Sequence, residues 1–198
     1  AAIREAVGET VVVGDDGDDV DVTATYDGRE GLEGAVTVDG DEWGVETKLP
    51  LLGRHQASNA GVAATLARQI VELDAVGDID PPAELAGEES ELNEQILARG
   101  LRNAHWPGRF EIVEQDPLVV LDGAHNPNGC ECVAETLSEF DFENLHLVVG
   151  VMADKDHRGI AQAFDPDTVT ACRPDLDRAE DADVLAHVFE QETDAADH

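Results

Sequence analysis

The chain has 198 residues, enough to bury the core of one domain or of two small ones. Its 45 Asp and Glu residues against 12 Lys and Arg give a formal net charge of −33. Because salt screens the self-repulsion of such an acidic surface, this composition predicts a halophilic, cytoplasmic protein. With no basic patch, no apolar segment of membrane-spanning length and no signal peptide, we expect neither nucleic acid nor a membrane as partner.

The first 50 residues predict short strands joined by acidic turns. Apolar and polar residues alternate around Val22, at 35–38 and from Trp43 to Val45, which is the period of half-buried strands. The residues at 39–41 predict a hairpin turn between the last two strands. The acidic stretch at 14–19 lacks the spacing of a calcium-binding loop, so we interpret it as a solvated turn.

Two helices are predicted next. The first runs from about Ser58 to Leu73, where apolar residues recur every three or four positions as one stripe. The members of this stripe are Ala63, Leu66, Ala67, Ile70 and Leu73. A loop at 77–89 leads to a second helix, from about Leu92 to Leu101. Gly100 and the Trp-Pro-Gly sequence at 106–108 close this helix, and we place a domain boundary between residues 104 and 105.

Strands and helices alternate beyond this boundary, which predicts a thin, incomplete parallel sheet with right-handed crossovers. The predicted strands cover 118–121, which we expect to be buried, 145–151 and 168–172. The predicted helices cover 127–140, 160–164 and 179–191. Asn126 has the position of a helix N-cap, with Pro127 as the first helical residue.

Several residues near these predicted strand and helix ends could bind a ligand. Asp122 and His125 follow the strand at 118–121, and open α/β sheets collect ligands at strand ends. An Asp there can accept hydrogen bonds from a ribose diol and a His can donate to phosphate, although an ordinary turn fits the spacing equally well. The planar guanidinium of Arg109 suits phosphate, but equally suits an ion pair with one of the many carboxylates.

The other candidates carry weaker signals. The amide of Asn59 can pair with an adenine edge, although capping of a helix is the interpretation that its position favours. Asp154 and Lys155 follow the second predicted strand, where Lys155 could hold a substrate carboxylate or be an ordinary loop cation. The three cysteines form no CxxC pair and predict neither a metal site nor a disulfide. No phosphate loop of the GxxxxGK[ST] type occurs.

Four segments stand out along the chain: GRHQASNAGVAA from Gly53, WPGRFE from Trp106, LDGAHNPNG from Leu121 and GVMADKDHRG from Gly150. In their order and approximate spacing, these segments together resemble the folylpolyglutamate synthase/dihydrofolate synthase family of the Mur ligase superfamily. The resemblance implies an α/β fold in two parts. Residues 1–104 would be the C-terminal part of an ATP-binding central domain, with small β-strands plus helices. Residues 105–198 would be an incomplete Rossmann-like C-terminal domain of the Mur ligase type.

The resemblance also implies an activity and roles for the candidate residues. Enzymes of this family are ATP-dependent ligases of folate biosynthesis and one-carbon metabolism. They activate the carboxylate of dihydropteroate or folate as an acyl phosphate, which the amine of L-glutamate attacks. By resemblance, Asn59 would recognise adenine, Arg109 would contact ATP phosphate, Asp122 would bind the ribose and His125 would lie beside the nucleotide. Lys155, with Asp154, would lie on the side where glutamate binds.

The departures from the family imply a partial chain. The family's P-loop, Mg²⁺ ligands and modified lysine precede its HQxxN segment, and only about 50 residues precede that segment here. We therefore expect no metal ligands in this chain and no ATP turnover without an upstream half. Some haloarchaeal members are fused to dihydropteroate synthase, which makes a fused domain a further expected partner. The alternatives are a fragment of a Mur-type amino-acid ligase and a non-catalytic nucleotide-binding remnant.

Overall fold

The computed structural model describes residues 10–16, 19–75 and 93–197. The chain divides into two compact units, Ala1–Pro107 and Gly108–His198, and each is described by itself. The assignment of 1–104 and 105–198 to parts of two ligase domains stays a prediction. The loop predicted at 77–89, the start of the second helix at Leu92 and residues 17–18 of the acidic turn lie outside the described residues.

A four-stranded sheet forms the centre of the first unit. Its strands, in spatial order, are β1 (Val13–Gly14), β2 (Val22–Glu30), β3 (Glu33–Gly40) and β4 (Trp43–Leu49). β1 runs parallel to β2, and the other neighbours are antiparallel. Every second residue of β3 and β4 points into the core, as the alternating pattern predicts. The predicted hairpin is confirmed, since Gly40 pairs with Trp43 around a two-residue turn.

Helix α1 (His55–Ala75) packs against this sheet through its small residues. At Gly61 a Cβ atom would lie 2.6 Å from Val13 Cγ1 and 2.7 Å from Ala24 Cβ, so only glycine allows the helix to come this close. Of the predicted stripe, Ala67 packs against this core, whereas Ala63, Leu66 and Ile70 are exposed. Leu66 is 52% and Ile70 49% exposed, because the close approach selects the alanine and glycine side of the helix.

Helix α2 (Glu94–Arg102) packs beside β4 and completes the core of the first unit. The side chain of Asn93 caps it by accepting a hydrogen bond from Ile96 N at 3.0 Å. On its inner side, the hydroxyl of Thr47 donates to the carbonyl oxygen of Ala98 at 3.2 Å. Leu97 and Leu101 are buried against the sheet. The helix predicted to end near Leu101 is thus confirmed over its described part.

The second unit begins with an antiparallel hairpin and continues as alternating helices and parallel strands. The hairpin consists of β5 (Glu111–Gln115) and β6 (Leu118–Leu121). The remaining elements are α3 (Pro127–Leu137), β7 (His146–Val149), α4 (His157–Gln162), β8 (Thr168–Ala171), α5 (Ala182–Glu192) and β9 (Ala196–Asp197). Strands β7, β8 and β9 form one parallel sheet in that order. Its core is built from Cys130, Val151, Ile160, Ala161, Val169, Leu185 and Phe189.

The structure corrects the prediction that 118–121 is a buried strand of the parallel sheet. β6 pairs with β5, and an apolar cleft of about 610 Å³ separates it from β7. The cleft is lined by every residue of 117–122 and of 144–149. Because successive residues of a strand point to opposite faces, a cavity that touches all of them faces the strand edges. Leu121 is accordingly 51% exposed.

Candidate functional site

A tight turn presents Arg109 at the start of the hairpin. Gly108 has φ +70°, a conformation that favours glycine, and the next residue but one, Phe110, has φ +42°. The main-chain N–H of Gly108 donates to Glu111 Oε2 at 2.8 Å. A bulky residue in the left-handed region is rare and strained, and such strain clusters at functional sites. The chain reverses here and leaves the Arg109 side chain on the surface.

Two contacts hold Phe110 in this strained conformation. Its main-chain N–H donates to Asp122 Oδ2 at 2.6 Å. Its ring is buried and stacks on Phe140, with ring centroids 5.7 Å apart and an interplanar angle of 24°. A stacked aromatic pair contributes roughly 0.5–1.5 kcal/mol, and a hydrogen bond to a charged acceptor contributes roughly 1.5–3 kcal/mol. Together they are large enough to offset the backbone strain.

Asp122 joins the Arg109 turn to the turn that follows β6. While Oδ2 accepts from Phe110, Oδ1 accepts from Ala124 N at 2.7 Å. The two turns are also linked directly, since Gly123 N donates to the carbonyl oxygen of Gly108 at 2.8 Å. Each carboxylate oxygen retains a second lone pair. Asp122 can therefore hold both turns and still accept a hydrogen bond from a ligand hydroxyl.

The guanidinium of Arg109 lies over Gly123. A Cβ atom at Gly123 would lie 3.0 Å from Arg109 Nη1. Within the ranges that the structure describes, Arg109 forms no ion pair, although the chain has a net charge of −33. No carboxylate among those residues therefore supports the interpretation of Arg109 as one half of an ion pair. Its planar fork remains available to an anion.

His125 and the start of α3 lie next to the two turns at 108–110 and 122–124, and together these parts form one corner of the second unit. The ring Nδ1 of His125 lies 2.9 Å from the carbonyl oxygen of Gly123, and because a carbonyl oxygen can only accept, Nδ1 carries the proton. Nε2 is then an acceptor in the neutral ring and a donor in the charged one. The predicted cap is confirmed, since Asn126 Oδ1 accepts from Gly129 N at 2.9 Å and Pro127 begins the helix. The N-terminus of α3 also favours anions nearby.

The thiol nearest this corner is not a nucleophile. Burial, followed by the charge of Asp122, raises the pKa of the Cys130 thiol to about 11. Burial also raises the pKa of the Cys132 thiol, with a smaller contribution from Glu135. Both thiols are therefore protonated at neutral pH, and a thiol must ionise before it attacks. Cys130 packs in the core as a small apolar residue.

The loop before α4 carries Asp154 and Lys155. Lys155 Nζ lies 3.1 Å from Asp154 Oδ2, and this hydrogen bond from the ammonium lowers the pKa of the exposed Asp154 carboxyl. A Cβ atom at Gly159 would lie 2.6 Å from Pro127 Cγ. The start of α4 therefore packs directly against the start of α3. The loop that carries Asp154 and Lys155 connects β7 to α4. The contact between the two helix starts therefore places this loop at the same end of the second unit as the turn at 122–126, called the His125 turn.

Asn59 belongs to the first unit and lies inside a helix. α1 begins at His55, so Asn59 is in its second turn and the capping interpretation is wrong. Its side-chain amide donates to Gln56 Oε1 at 2.9 Å, and Gln56 Nε2 lies 3.1 Å from His55 Nε2. Asn59 is exposed on the same side of α1 as Val62 and Leu66, which are 45% and 52% exposed.

The residues that support the candidate site were not among the predicted site residues. Phe110, Phe140, Glu111 and Gly123 shape and hold the Arg109 turn, yet none was a candidate. The glycine at 108 and the Asp-Gly at 122–123 are local turn signals. The stacking on Phe140 joins residues 30 positions apart in the chain, and no local pattern reports such a contact.

Two further features are absent from the described residues. In those ranges, no group of three or more His, Cys, Asp or Glu side chains is placed to hold a metal ion. None of the helices there combines the length and the apolar character that a bilayer span requires.

Comparisons with known proteins define the class of the second unit and then the family of the chain. Residues 108–198 match the model of the Mur ligase, glutamate ligase domain. The chain is 53% identical over 192 residues to a protein of Halobacterium salinarum described as a probable bifunctional folylpolyglutamate synthase/dihydropteroate synthase, covering 96% of this chain and 21% of that protein. Its counterpart in Haloferax volcanii is 46% identical over 195 residues, with the same two coverages.

A solved structure agrees with these relatives. The crystal structure of Mycobacterium tuberculosis folylpolyglutamate synthase complexed with ADP and AMPPCP matches with a TM-score of 0.75 and 26% identity, over 99% of this chain and 42% of that one. The chain therefore belongs to the folylpolyglutamate synthase/dihydrofolate synthase family. The predicted α/β fold of the Mur ligase type is confirmed. The chain spans about a fifth of the length of the curated relatives.

Proposed function

We propose that this chain is part of an ATP-dependent ligase that adds L-glutamate to dihydropteroate or to a reduced folate through an acyl phosphate. The observation that carries the proposal is Arg109, a cation without an ion pair among the described residues of an acidic chain, held over Gly123 by a strained turn. Phosphoryl transfer spreads negative charge over the phosphoryl oxygens, so a fixed guanidinium lowers its barrier electrostatically.

The other residues of the corner fit the remaining parts of a nucleotide. We assign the free lone pairs of Asp122 to the ribose hydroxyls, and Nε2 of His125 to the nucleotide beside Arg109. Asn59, through the donor and acceptor of its amide, would recognise adenine. These roles follow the family resemblance, and the geometry of each unit supports them separately.

We assign the binding of the incoming glutamate to the loop before α4. The ammonium of Lys155 is partly exposed, and Asp154 is the carboxylate paired with it. An incoming glutamate carboxylate would compete with Asp154 for this ammonium. The contact between Gly159 and Pro127 keeps the loop at the end of the unit where Arg109 and His125 lie.

Activity requires more than these residues. The family resemblance implies Mg²⁺, and among the described residues no group of three or more His, Cys, Asp or Glu side chains is placed to hold a metal ion, so we assign no step to a metal here. The exposed Val62, Leu66 and Ile70 lie on the Asn59 side of α1. An apolar stripe of this kind is usually covered by another segment. We therefore propose that residues 1–198 alone do not turn over ATP, and that a further ATP-binding segment covers this face.

Two further proposals follow, one from the names of the two relatives and one from the composition of the chain. Both are described as bifunctional with dihydropteroate synthase, so we propose a fused dihydropteroate synthase domain as a partner of this chain. The acidic composition, shared with proteins adapted to concentrated salt, supports a halophilic cytoplasmic location.

The proposal is tested by ligation assays on the complete polypeptide encoded by the gene. ATP-dependent incorporation of labelled L-glutamate into dihydropteroate or tetrahydrofolate is expected in molar KCl, and Arg109→Ala is expected to weaken ATP use far more than folding. Arg99→Ala, an exposed arginine of α2, is the matched control. Ligation of glutamate to neither acceptor would contradict the proposal. ATP binding without turnover would favour the non-catalytic nucleotide-binding remnant. Use of an amino-sugar peptide as acceptor would favour the Mur-type amino-acid ligase.

A further inference from the structure

Gly123 is a glycine whose backbone does not require glycine. Its φ lies outside the left-handed region, in contrast to Gly108 with φ +70°. A Cβ atom there would meet the carbonyl oxygen of Gly108 at 3.5 Å, which is ordinary van der Waals contact. Neither conformation nor main-chain crowding therefore explains the missing side chain.

The remaining neighbour of that Cβ position is the guanidinium of Arg109, at 3.0 Å from Nη1. This distance is shorter than nine in ten real contacts of a Cβ atom. The end of an arginine side chain is flexible, so an alanine at 123 would displace the guanidinium and leave the backbone in place. A larger side chain would displace it further.

The main chain fixes where the guanidinium lies relative to the second turn. Gly123 N donates to the carbonyl oxygen of Gly108, and Asp122 accepts from both Phe110 and Ala124. These bonds set the distance between the two turns. Given that distance, the side chain at 123 decides how closely Arg109 approaches the His125 turn.

We infer that Gly123 is a positioning residue, which seats the Arg109 guanidinium against the His125 turn by having no side chain. The inference rests on the proposed phosphate role of Arg109. Gly123 acts only through Arg109 and does not contact the nucleotide itself. Its effect should therefore disappear when Arg109 is removed.

A double-mutant cycle in the complete polypeptide tests this dependence. Gly123→Ala and Gly123→Val are compared in the presence of Arg109 and in the Arg109→Ala background, with KM for ATP and kcat measured separately. In the presence of Arg109 we expect KM to rise a few-fold with alanine and about ten-fold or more with valine, because small misplacements of a charged contact are costly. In the Arg109→Ala background both substitutions should change KM by less than about two-fold.

Two controls keep the outcome decisive. Gly100→Ala, at an exposed helical position where a Cβ meets no atom within 4 Å, should leave both constants unchanged. Thermal unfolding of each variant shows whether a loss of activity follows a loss of folding, and alanine remains informative if valine unfolds the protein. Equal effects of Gly123→Ala in both backgrounds would overturn the inference and leave the proposed function standing. If Arg109→Ala alone leaves KM and kcat unchanged, the phosphate role fails and this inference fails with it.

Discussion

Asp122 should be a large contributor to the stability of the second unit. Its two carboxylate oxygens accept from two buried or half-buried main-chain N–H groups, at 2.6 and 2.7 Å. Hydrogen bonds to charged groups contribute about 1.5–3 kcal/mol each. We therefore expect Asp122→Ala to lower the free energy of unfolding by about 3–6 kcal/mol. Asp122→Asn keeps one acceptor oxygen and should cost roughly half as much.

Urea unfolding followed by circular dichroism in molar KCl measures this cost, and amide hydrogen exchange locates it. The Phe110 and Ala124 amides should lose protection together in the alanine variant. Asp167→Ala is the matched control, because Asp167 is exposed and its side chain accepts one main-chain bond, from Leu145 N at 2.7 Å. A cost below about 0.5 kcal/mol for Asp122→Ala, or a cost for Asp167→Ala equal to it, would refute the reasoning.

Three further predictions concern other parts of the chain. With a pKa of about 11, Cys130 is roughly a thousandth ionised at pH 8, so iodoacetamide followed by peptide mass spectrometry should label it far more slowly than the exposed Cys172. Lys155 lowers the pKa of Asp154, so the contribution of this pair to the stability of the folded state is present above the ordinary carboxyl range and is lost as pH falls. In an NMR titration, Lys155→Ala should raise the pKa of Asp154. An unchanged pKa would contradict the pairing. Leu66→Gln should lower the free energy of unfolding of residues 1–198 by less than about 0.5 kcal/mol, because Leu66 is exposed. Leu97→Ala should lower it by about 2–5 kcal/mol, because Leu97 is buried. Similar urea midpoints for both variants would contradict this difference in burial.

Local signals in the sequence predicted the elements that local chemistry determines. The alternation around Val36 and Val38 predicts β3 because one face of that strand is buried. Asn126 and Pro127 predict the start of α3 because capping is settled by a few neighbouring residues. Element ends shifted by a few residues, as at α4, where the predicted helix at 160–164 is His157–Gln162.

Tertiary packing explains what the sequence did not predict. In α1 the larger residues Leu66 and Ile70 form a clear stripe, but the sheet accepts the side with Gly61 and Ala64, which allows closer approach. β6 has the composition of a buried strand, yet its partner is the strand just before it in the chain. The positive φ of Phe110 depends on Asp122 and on a ring 30 residues away. Candidate ligand residues were therefore easier to predict than the residues that hold them.

The charge of the chain leads to an unusual expectation for nucleotide binding. A net charge of −33 repels ATP at long range, whereas the proposed contact with Arg109 is short and direct. The screening length falls from about 10 Å at 0.1 M salt to about 3 Å at 1 M, so salt removes the repulsion before it weakens the contact. We therefore expect KM for ATP to fall as KCl rises, over the range where circular dichroism shows a folded protein. Arg109→Ala should raise KM at every KCl concentration and keep the downward trend, since the repulsion belongs to the whole chain. A KM that rises steadily with KCl in the unmodified protein would mean that local cations outweigh the acidic surface, and that the field at this corner is positive despite the composition.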